Sequence, residues 1–372
     1  FQYNGIGKIG VLAKAKNGTG DKKTPDYFFE VGKFDLTVNS PKINPVILDR
    51  EGSISISVTS TNEVNYYLYK GDEVLFESLN NKNFSKDVLG PDSGSDGLKL
   101  IESTTLKLLC EDTSDSNNFM YLSFDIVVEP ISIETEPPFE LKDGINYDNN
   151  NSSKIYLQLN APKKDFVYVL GNFNDYVKDK KSLMNINPSN NKFWFEISDL
   201  NENENYWYQY QVFSKSPVSG SPTVIKVADP FSNLIISSYD DNQIPENSFP
   251  NLPKFPENQI GEFTFINKSE KYDWNITEFD KPKKEDLIIY EILVRDFDKE
   301  SSFQNLIDRI EYFKNLNINA IELMPVMEFE GNESWGYNSS YHLSLDKFYG
   351  TQNKLKEFID LCHQNGIAVI LD

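Results

Sequence analysis

The chain has 372 residues, 39% apolar and 13% aromatic, so it can bury real cores and is no disordered polymer. Its 57 acidic against 36 basic residues give a net charge of −21, which repels nucleic acid and anionic membranes and suits neutral partners, sugars among them. Two cysteines, Cys110 and Cys362, and two histidines, His342 and His363, exclude a disulfide framework, a thiolate metal site and a multi-histidine metal site, and no run of 18 apolar residues offers a transmembrane segment.

The length fits two to four domains. No signal peptide opens the chain, and Phe1 falls in the middle of a pattern, so an earlier piece is expected. In residues 1–32, the apolar runs Ile9–Leu12 and Tyr27–Val31 flank a polar stretch containing Asn17-Gly18, which is hairpin grammar. These residues either add to the next domain or are the C-terminal strands of a preceding β domain, and the second reading is preferred.

Residues 33–130 alternate in short runs (Phe34, Leu36, Val38; Ile54, Ile56, Val58) with turn signals at 91–97, and read as an immunoglobulin-like β sandwich. Residues 131–245 form a second β unit with strands at Ile155–Leu159 and Val167–Leu170. Its aromatic strand places Tyr206, Tyr208, Tyr210 and Val212 on one face and Trp207, Gln209 and Gln211 on the other, because side chains alternate along a strand. Trp207 is either a core residue or an aromatic face offered to a sugar ring. Residues 246–285, rich in Pro, Asn and Lys, read as an ordered linker.

From 286 the grammar becomes β-α-β-α-β. Ile288–Val294, Ala320–Val326 and Ile367–Leu371 are strands without polar alternation, which need cover on both faces and so form a parallel sheet. Ser301 or Ser302 caps a helix whose apolar face is Phe303, Leu306, Ile307, Ile310, Phe313 and Leu316, and Asn317 supplies its left-handed end. Thr351 caps a second helix carrying Leu355, Phe358, Ile359 and Cys362, which Gly366 stops. A last strand with no following helix leaves a raw edge, so more barrel is expected after Asp372. The fold class is multidomain: immunoglobulin-like β sandwiches followed by the first part of a (β/α)8 TIM barrel.

Ligands meet such a barrel at the C-terminal ends of its strands. Arg295, Asp296, Glu328, the Trp335–Asn338 stretch and Asp372 fall there. Glu322 sits inside the second strand and points either into the barrel or toward the helices. Cleavage of a glycoside needs two carboxylates, roughly 5–5.5 Å apart in retaining enzymes, and no convincing pair is present.

Residues 286–372 resemble the start of the catalytic barrel of glycoside hydrolase family 13, the alpha-amylase superfamily. Ile289-Tyr-Glu-Ile-Leu-Val-Arg-Asp-Phe297 is similar to its first barrel strand and Asn319-Ala-Ile-Glu-Leu-Met-Pro-Val326 to its second. Trp335-Gly-Tyr-Asn338, then Asp346-Lys-Phe-Tyr-Gly-Thr351, resemble the loop that follows. His363 and Gly366 to Asp372 resemble the run into the first signature region, of which only the aspartate is present. The resemblance implies a retaining α-1,4-glucan hydrolase acting on starch, glycogen or malto-oligosaccharides. Tyr337 would be the aromatic platform and Asp372 the aspartate ordering the site, with Trp335 and Asn338 beside them. The nucleophile Asp and the acid/base Glu would lie beyond residue 372, so this segment alone is expected to be inactive, with no catalytic residue and no metal ligand of its own. No cofactor is identified; calcium is allowed in the intact enzyme.

Val167-Tyr-Val-Leu-Gly-Asn-Phe-Asn-Asp175, the strand at 206–212 and Ala228-Asp-Pro-Phe231 resemble a family 48 starch-binding module, which would give Trp207 a starch-binding surface. The layout resembles secreted multidomain amylase-like proteins of the Bacteroidetes, implying an extracellular, cell-surface or periplasmic location beside other cell-surface glycan-utilisation proteins. Two alternatives stand beside the hydrolase: a non-catalytic carbohydrate-binding or scaffolding protein with an incomplete barrel, and a pullulanase- or branching-type transglycosidase. An open-sheet dinucleotide enzyme is disfavoured, since Arg295–Ser302 holds no Gly-rich phosphate loop.

Overall fold

The computed structural model describes residues 8–10, 28–30, 34–266 and 272–372. The chain divides into two compact units, one made of Phe1–Ser132, Lys163–Phe166 and Val212–Ile225, the other of Ile133–Pro162, Val167–Gln211 and Lys226–Asp372.

In the first unit, strands Lys8–Gly10 and Phe28–Glu30 pair antiparallel. The Asn17-Gly18 turn expected between them lies outside the described residues. The main sheet is built on one long hairpin, Ser53–Lys70 against Glu73–Leu89, where the sequence suggested several short strands. Ser53–Lys70 pairs with Leu36–Ser40 along its first half and with Thr104–Asp112 along its second. The register shifts between Thr59 and Val64, so a single strand changes partners at a bulge. Period-two alternation sends Ile56, Val58, Val64, Tyr66 and Leu68 into a core with Leu106, Leu108 and Phe124. Lys215 belongs to this unit, with its ammonium 2.9 Å from Asp49 and 2.6 Å from Glu129.

The second unit begins with a β module of two sheets. One has the order Gly144–Tyr147, Ile155–Leu159, Phe193–Ile197, Asn185–Ile186. The other contains Tyr206–Phe213, Glu262–Ile266 and Ile235–Ser237 as antiparallel neighbours. Glu262–Ile266 lies inside the stretch expected to be a linker, and Phe263 and Phe265 are core residues. Gln209 is buried along with Tyr208 and Tyr210, so both faces of the aromatic strand are covered. At the centre of the module Asp229, 0% exposed, accepts from the hydroxyls of Tyr208 at 2.7 Å and Tyr210 at 2.8 Å and from the Phe231 amide at 2.8 Å.

The unit continues into a three-stranded parallel sheet: β1 (Ile289–Ile292), β2 (Ala320–Leu323) and, after the antiparallel hairpin β3 (Met327–Phe329) and β4 (Ser339–Leu345), β5 (Ala368–Leu371). The order is β1-β2-β5, with Ile289, Ala320 and Ala368 in one register row and Ile292, Leu323 and Leu371 in another. The helices are α1 (Val294–Phe297), α2 (Phe303–Asp308), α3 (Ile310–Asn315) and α4 (Gln352–Gln364). Ser302 and Thr351 cap α2 and α4 through their side chains. The single helix expected from 303 to 316 is broken at Arg309, whose φ of −101° and ψ of 14° leave the helical region. Leu316 consequently ends 41% exposed, while Asn317 takes the left-handed φ of 54° that ends the element.

The segment before β1 is tied to α4. Asp360 accepts from the Asn275 amide at 2.9 Å, its side chain at 2.7 Å and the Ile276 amide at 2.9 Å. His363 stacks on Phe279 with centroids 4.1 Å apart. Cys110 and Cys362 are buried free thiols, and no helix among the described residues is long and apolar enough to cross a membrane.

Candidate functional site

The parallel sheet has two unlike faces. Ile292, Ile321, Leu323, Tyr290 and Val369 join the helices in one apolar core. Glu291, Glu322 and Ile370 form a register row on the opposite face. Side chains repeat every second residue, so Asp372 stands one step above Ile370 on that face, at the C-terminal end of the sheet. Its amide donates to the Leu323 carbonyl at 3.0 Å, which fixes the tip. Glu322 therefore belongs to the face turned away from the helices.

The loop between β3 and β4 reaches the same place. The Tyr337 hydroxyl donates to Asp372 Oδ2 at 2.6 Å. That hydrogen bond, with some desolvation and the nearby charges of Asp372, Glu291 and Glu322, pushes the Tyr337 phenol up to about 12. The ring itself is 61% exposed and Trp335 is 62% exposed. Large apolar rings are shown to solvent here on a braced loop. Gly336 has a φ of +89°, and a Cβ there would lie 2.4 Å from the Pro325 carbonyl oxygen, so only glycine fits against the end of β2. Ser334 bonds the Asn338 side chain, the Gly336 amide donates to Ser334 Oγ at 3.0 Å, and Ser339 Oγ donates to the Gly336 carbonyl at 3.0 Å. Asn338 thus helps to shape the loop that presents the two rings.

Two other acids at this end are held by arginines. Arg295 grips Asp296 through Nε at 2.7 Å and Nη2 at 2.8 Å, holding that carboxyl below the usual carboxylate range. Asp298 is likewise held low, first by the Lys299 amide, which donates to it at 2.7 Å, and then by Arg309 at 2.8 Å. A cleft of about 480 Å³ beside them is lined by Tyr290, Glu291, Asp296, Asp298, Arg309 and Tyr312.

Glu328, expected among the residues at the ligand face, is instead 5% exposed at the base of the hairpin and paired with Lys347, itself 1% exposed. The Lys347 ammonium also lies 3.4 Å from Asp241 of the β module. Burial raises the carboxyls of Glu328 and Asp346, and the Lys347 charge only partly offsets it. Asp346 accepts from the Phe348 amide at 2.9 Å and fixes the turn after β4. This cluster was not singled out in the sequence. The one available signal was a lysine inside the aromatic run Asp346-Lys-Phe-Tyr349, where a long charged side chain has little route to solvent.

Trp207 lies apart from this loop. It is half-buried, its ring N–H donates to the Tyr176 hydroxyl, and it packs on the core of Leu234, Ile236, Phe263 and Phe265. Among the described residues no group of three or more His, Cys, Asp or Glu is arranged to hold a metal ion.

Residues 291–372 match the family model of the alpha amylase catalytic domain. A malto-oligosyltrehalose trehalohydrolase of Saccharolobus solfataricus is 32% identical over 149 residues, 40% of this chain and 25% of that protein. A 1,4-alpha-glucan branching enzyme of Halothermothrix orenii is 26% identical over 237 residues, 60% of this chain and 33% of that protein. The crystal structure of GBS pullulanase SAP in complex with maltotetraose aligns with a TM-score of 0.47 at 16% identity, over 89% of this chain and 45% of that one. The chain spans about a quarter to a third of the length of these two curated relatives. Its segment from Glu291 to Asp372 carries the sequence pattern of an alpha-amylase catalytic domain.

Proposed function

We propose that the Trp335–Asn338 loop and Asp372 form part of the sugar-binding floor of an α-glucan-active glycoside hydrolase or transglycosidase. The observation that carries this reading is the Tyr337–Asp372 hydrogen bond. It joins an exposed aromatic ring to a carboxylate at the C-terminal end of the parallel sheet, where barrels hold their ligands. An aromatic face covers the apolar C–H side of a glucose ring, and a neighbouring carboxylate accepts from its hydroxyls. The curated relatives are named for acting on malto-oligosyltrehalose and on 1,4-alpha-glucan, which agrees with a glucan ligand.

In this reading the residues in hand bind and orient sugar. A retaining reaction needs two carboxylates roughly 5–5.5 Å apart, across the scissile bond from one another. Asp372 is engaged by Tyr337, Asp296 and Asp298 by arginines, and Glu328 by Lys347, while Glu291 and Glu322 share one register row of adjacent strands and so lie on the same side of a bound sugar. The reacting pair would come from other strands of the whole protein, so the 372-residue chain alone should leave soluble starch uncleaved in a reducing-sugar assay.

The binding half is tested with maltoheptaose, following Trp335 fluorescence. Tyr337→Ala should weaken binding by roughly tenfold or more, about 1.4 kcal/mol, since the variant loses the ring face and leaves Asp372 without its donor. Unchanged affinity in that variant would remove Tyr337 from the site.

A further inference from the structure

We propose that Asp241 and Lys347 are positioning residues for the sugar-facing loop, and that through them the β module sets where Trp335 and Tyr337 stand. The proposal rests on the reading of that loop given above.

The β3–β4 hairpin does not define its own geometry. It pairs at only three positions, Met327 with Leu345, Glu328 with Tyr341 and Phe329 with Ser339, and the register shifts at both steps. An isolated two-stranded hairpin is marginal, and an irregular one is weakly specified. The loop bearing both rings grows from this hairpin, so its position must be fixed by something else.

The module supplies the fixed points. Ser344 Oγ donates to the Ser232 carbonyl at 2.7 Å. The Tyr341 hydroxyl donates to Glu262 at 2.7 Å and accepts from the Ala228 amide at 3.3 Å. Asn332, three residues before Trp335, donates to the Asp240 carbonyl at 3.2 Å. Among these contacts the one between ionisable side chains of opposite sign is that of Lys347. Its ammonium sits between Glu328 on β3 and Asp241 in the module, both nearly buried. Asp241 is itself held by the Ser237 amide, which donates to Oδ2 at 2.7 Å. Away from water such a pair is little screened, and breaking it leaves a buried charge without a partner, so it biases where the hairpin rests. Asp241 is the outer anchor, Lys347 the bridge and Glu328 the point of attachment on the hairpin.

The test uses the whole 372-residue chain labelled with 5-fluorotryptophan. The four tryptophans, Trp194, Trp207, Trp274 and Trp335, give four fluorine resonances, and Trp335→Phe assigns the one that matters. Asp241→Asn removes the module-side charge and keeps the Glu328–Lys347 pair. The expected result is a shifted or split Trp335 resonance with the other three unmoved, and maltoheptaose affinity reduced roughly threefold to tenfold, about 0.7–1.4 kcal/mol. Asp241→Glu keeps the charge on a longer arm and should shift the same resonance less. That variant gives the reading should the asparagine variant not fold. An unmoved Trp335 resonance in the folded variant overturns the proposal, and so does a change in all four together, which marks general loosening of the fold. If the unaltered chain does not bind maltoheptaose and the variant still moves Trp335 alone, the positioning role stands and the sugar reading falls.

Discussion

On the alkaline side Lys347→Met should destabilise the second unit by about 3–5 kcal/mol, the cost of leaving a buried charge without its partner. Lys347 is 1% exposed and stands between Glu328 and Asp241, with the charge of Asp346 also acting on it. Methionine matches its length and apolar stem, so packing changes little and the loss is electrostatic. The penalty should therefore depend on pH. Burial raises the Glu328 carboxyl from 4.5 to about 8, a folded value above the unfolded one. Such a group contributes stability that is fully present below pH 4.5 and is lost as pH rises through about 8. Without the lysine the folded value should climb further and the loss should continue past about 8, so the variant should be close to the unaltered chain near pH 5 and fall below it as pH rises to roughly 9.5. All four tryptophans lie in the second unit, so denaturant unfolding followed by tryptophan fluorescence reports on this unit alone. An equal penalty at both pH values would mean that charge burial is not its source. Pairing the change with Glu328→Met, which removes the carboxylate left behind, should restore much of the stability, because apolar replacements of whole buried pairs are often tolerated.

This cluster also shows where sequence reasoning stops. The parallel sheet was legible because unbroken apolar runs flanked by cap and stop residues depend on local pattern alone. The meeting of Tyr337 and Asp372 at one end of the sheet was expected from the family resemblance alone, since no local pattern encodes a contact 35 positions apart. The fate of Glu328 was not legible. Whether a carboxylate faces solvent or a lysine depends on Asp241, 87 positions earlier in the chain, and no local pattern encodes that pairing. Glu262–Ile266 was missed for a different reason. Five residues are too few to show a period, and Pro250, Pro253 and Pro256 dominate the preceding stretch. The break at Arg309 falls inside a continuous apolar stripe. The stripe specifies which face is buried and says nothing of whether each turn of helix closes.

The second large effect is expected at Asp229, far along the sequence from the site yet one residue from a contact that supports it. Asp229→Ala should cost about 2–6 kcal/mol, because two buried hydroxyls and one part-buried amide lose their acceptor and each buried unsatisfied group carries roughly 1–3 kcal/mol, with neighbouring losses not strictly additive. The donors are the Tyr208 and Tyr210 hydroxyls on Oδ2 and the Phe231 amide on Oδ1. Asp229→Asn should cost less, about 1–3 kcal/mol, since the amide keeps one acceptor but turns its NH2 toward one of those donors. Burial and the Asp229 charge hold both phenols well above their ordinary value. Groups raised in this way give stability that is complete below pH 10 and falls as pH climbs further, so the unaltered module should unfold on the alkaline side. In Tyr208→Phe/Tyr210→Phe that alkaline loss should shrink, leaving the share of other buried phenols such as Tyr341 and Tyr349. Ala228, the neighbour of Asp229, donates its amide to Tyr341 on β4. The alanine variant should therefore loosen the hairpin under the Trp335–Asn338 loop, and Trp335 emission should change at denaturant concentrations below the main unfolding transition. A variant as stable as the unaltered chain would mean that the three donors find water or other acceptors, and the module core would then owe nothing to this carboxylate.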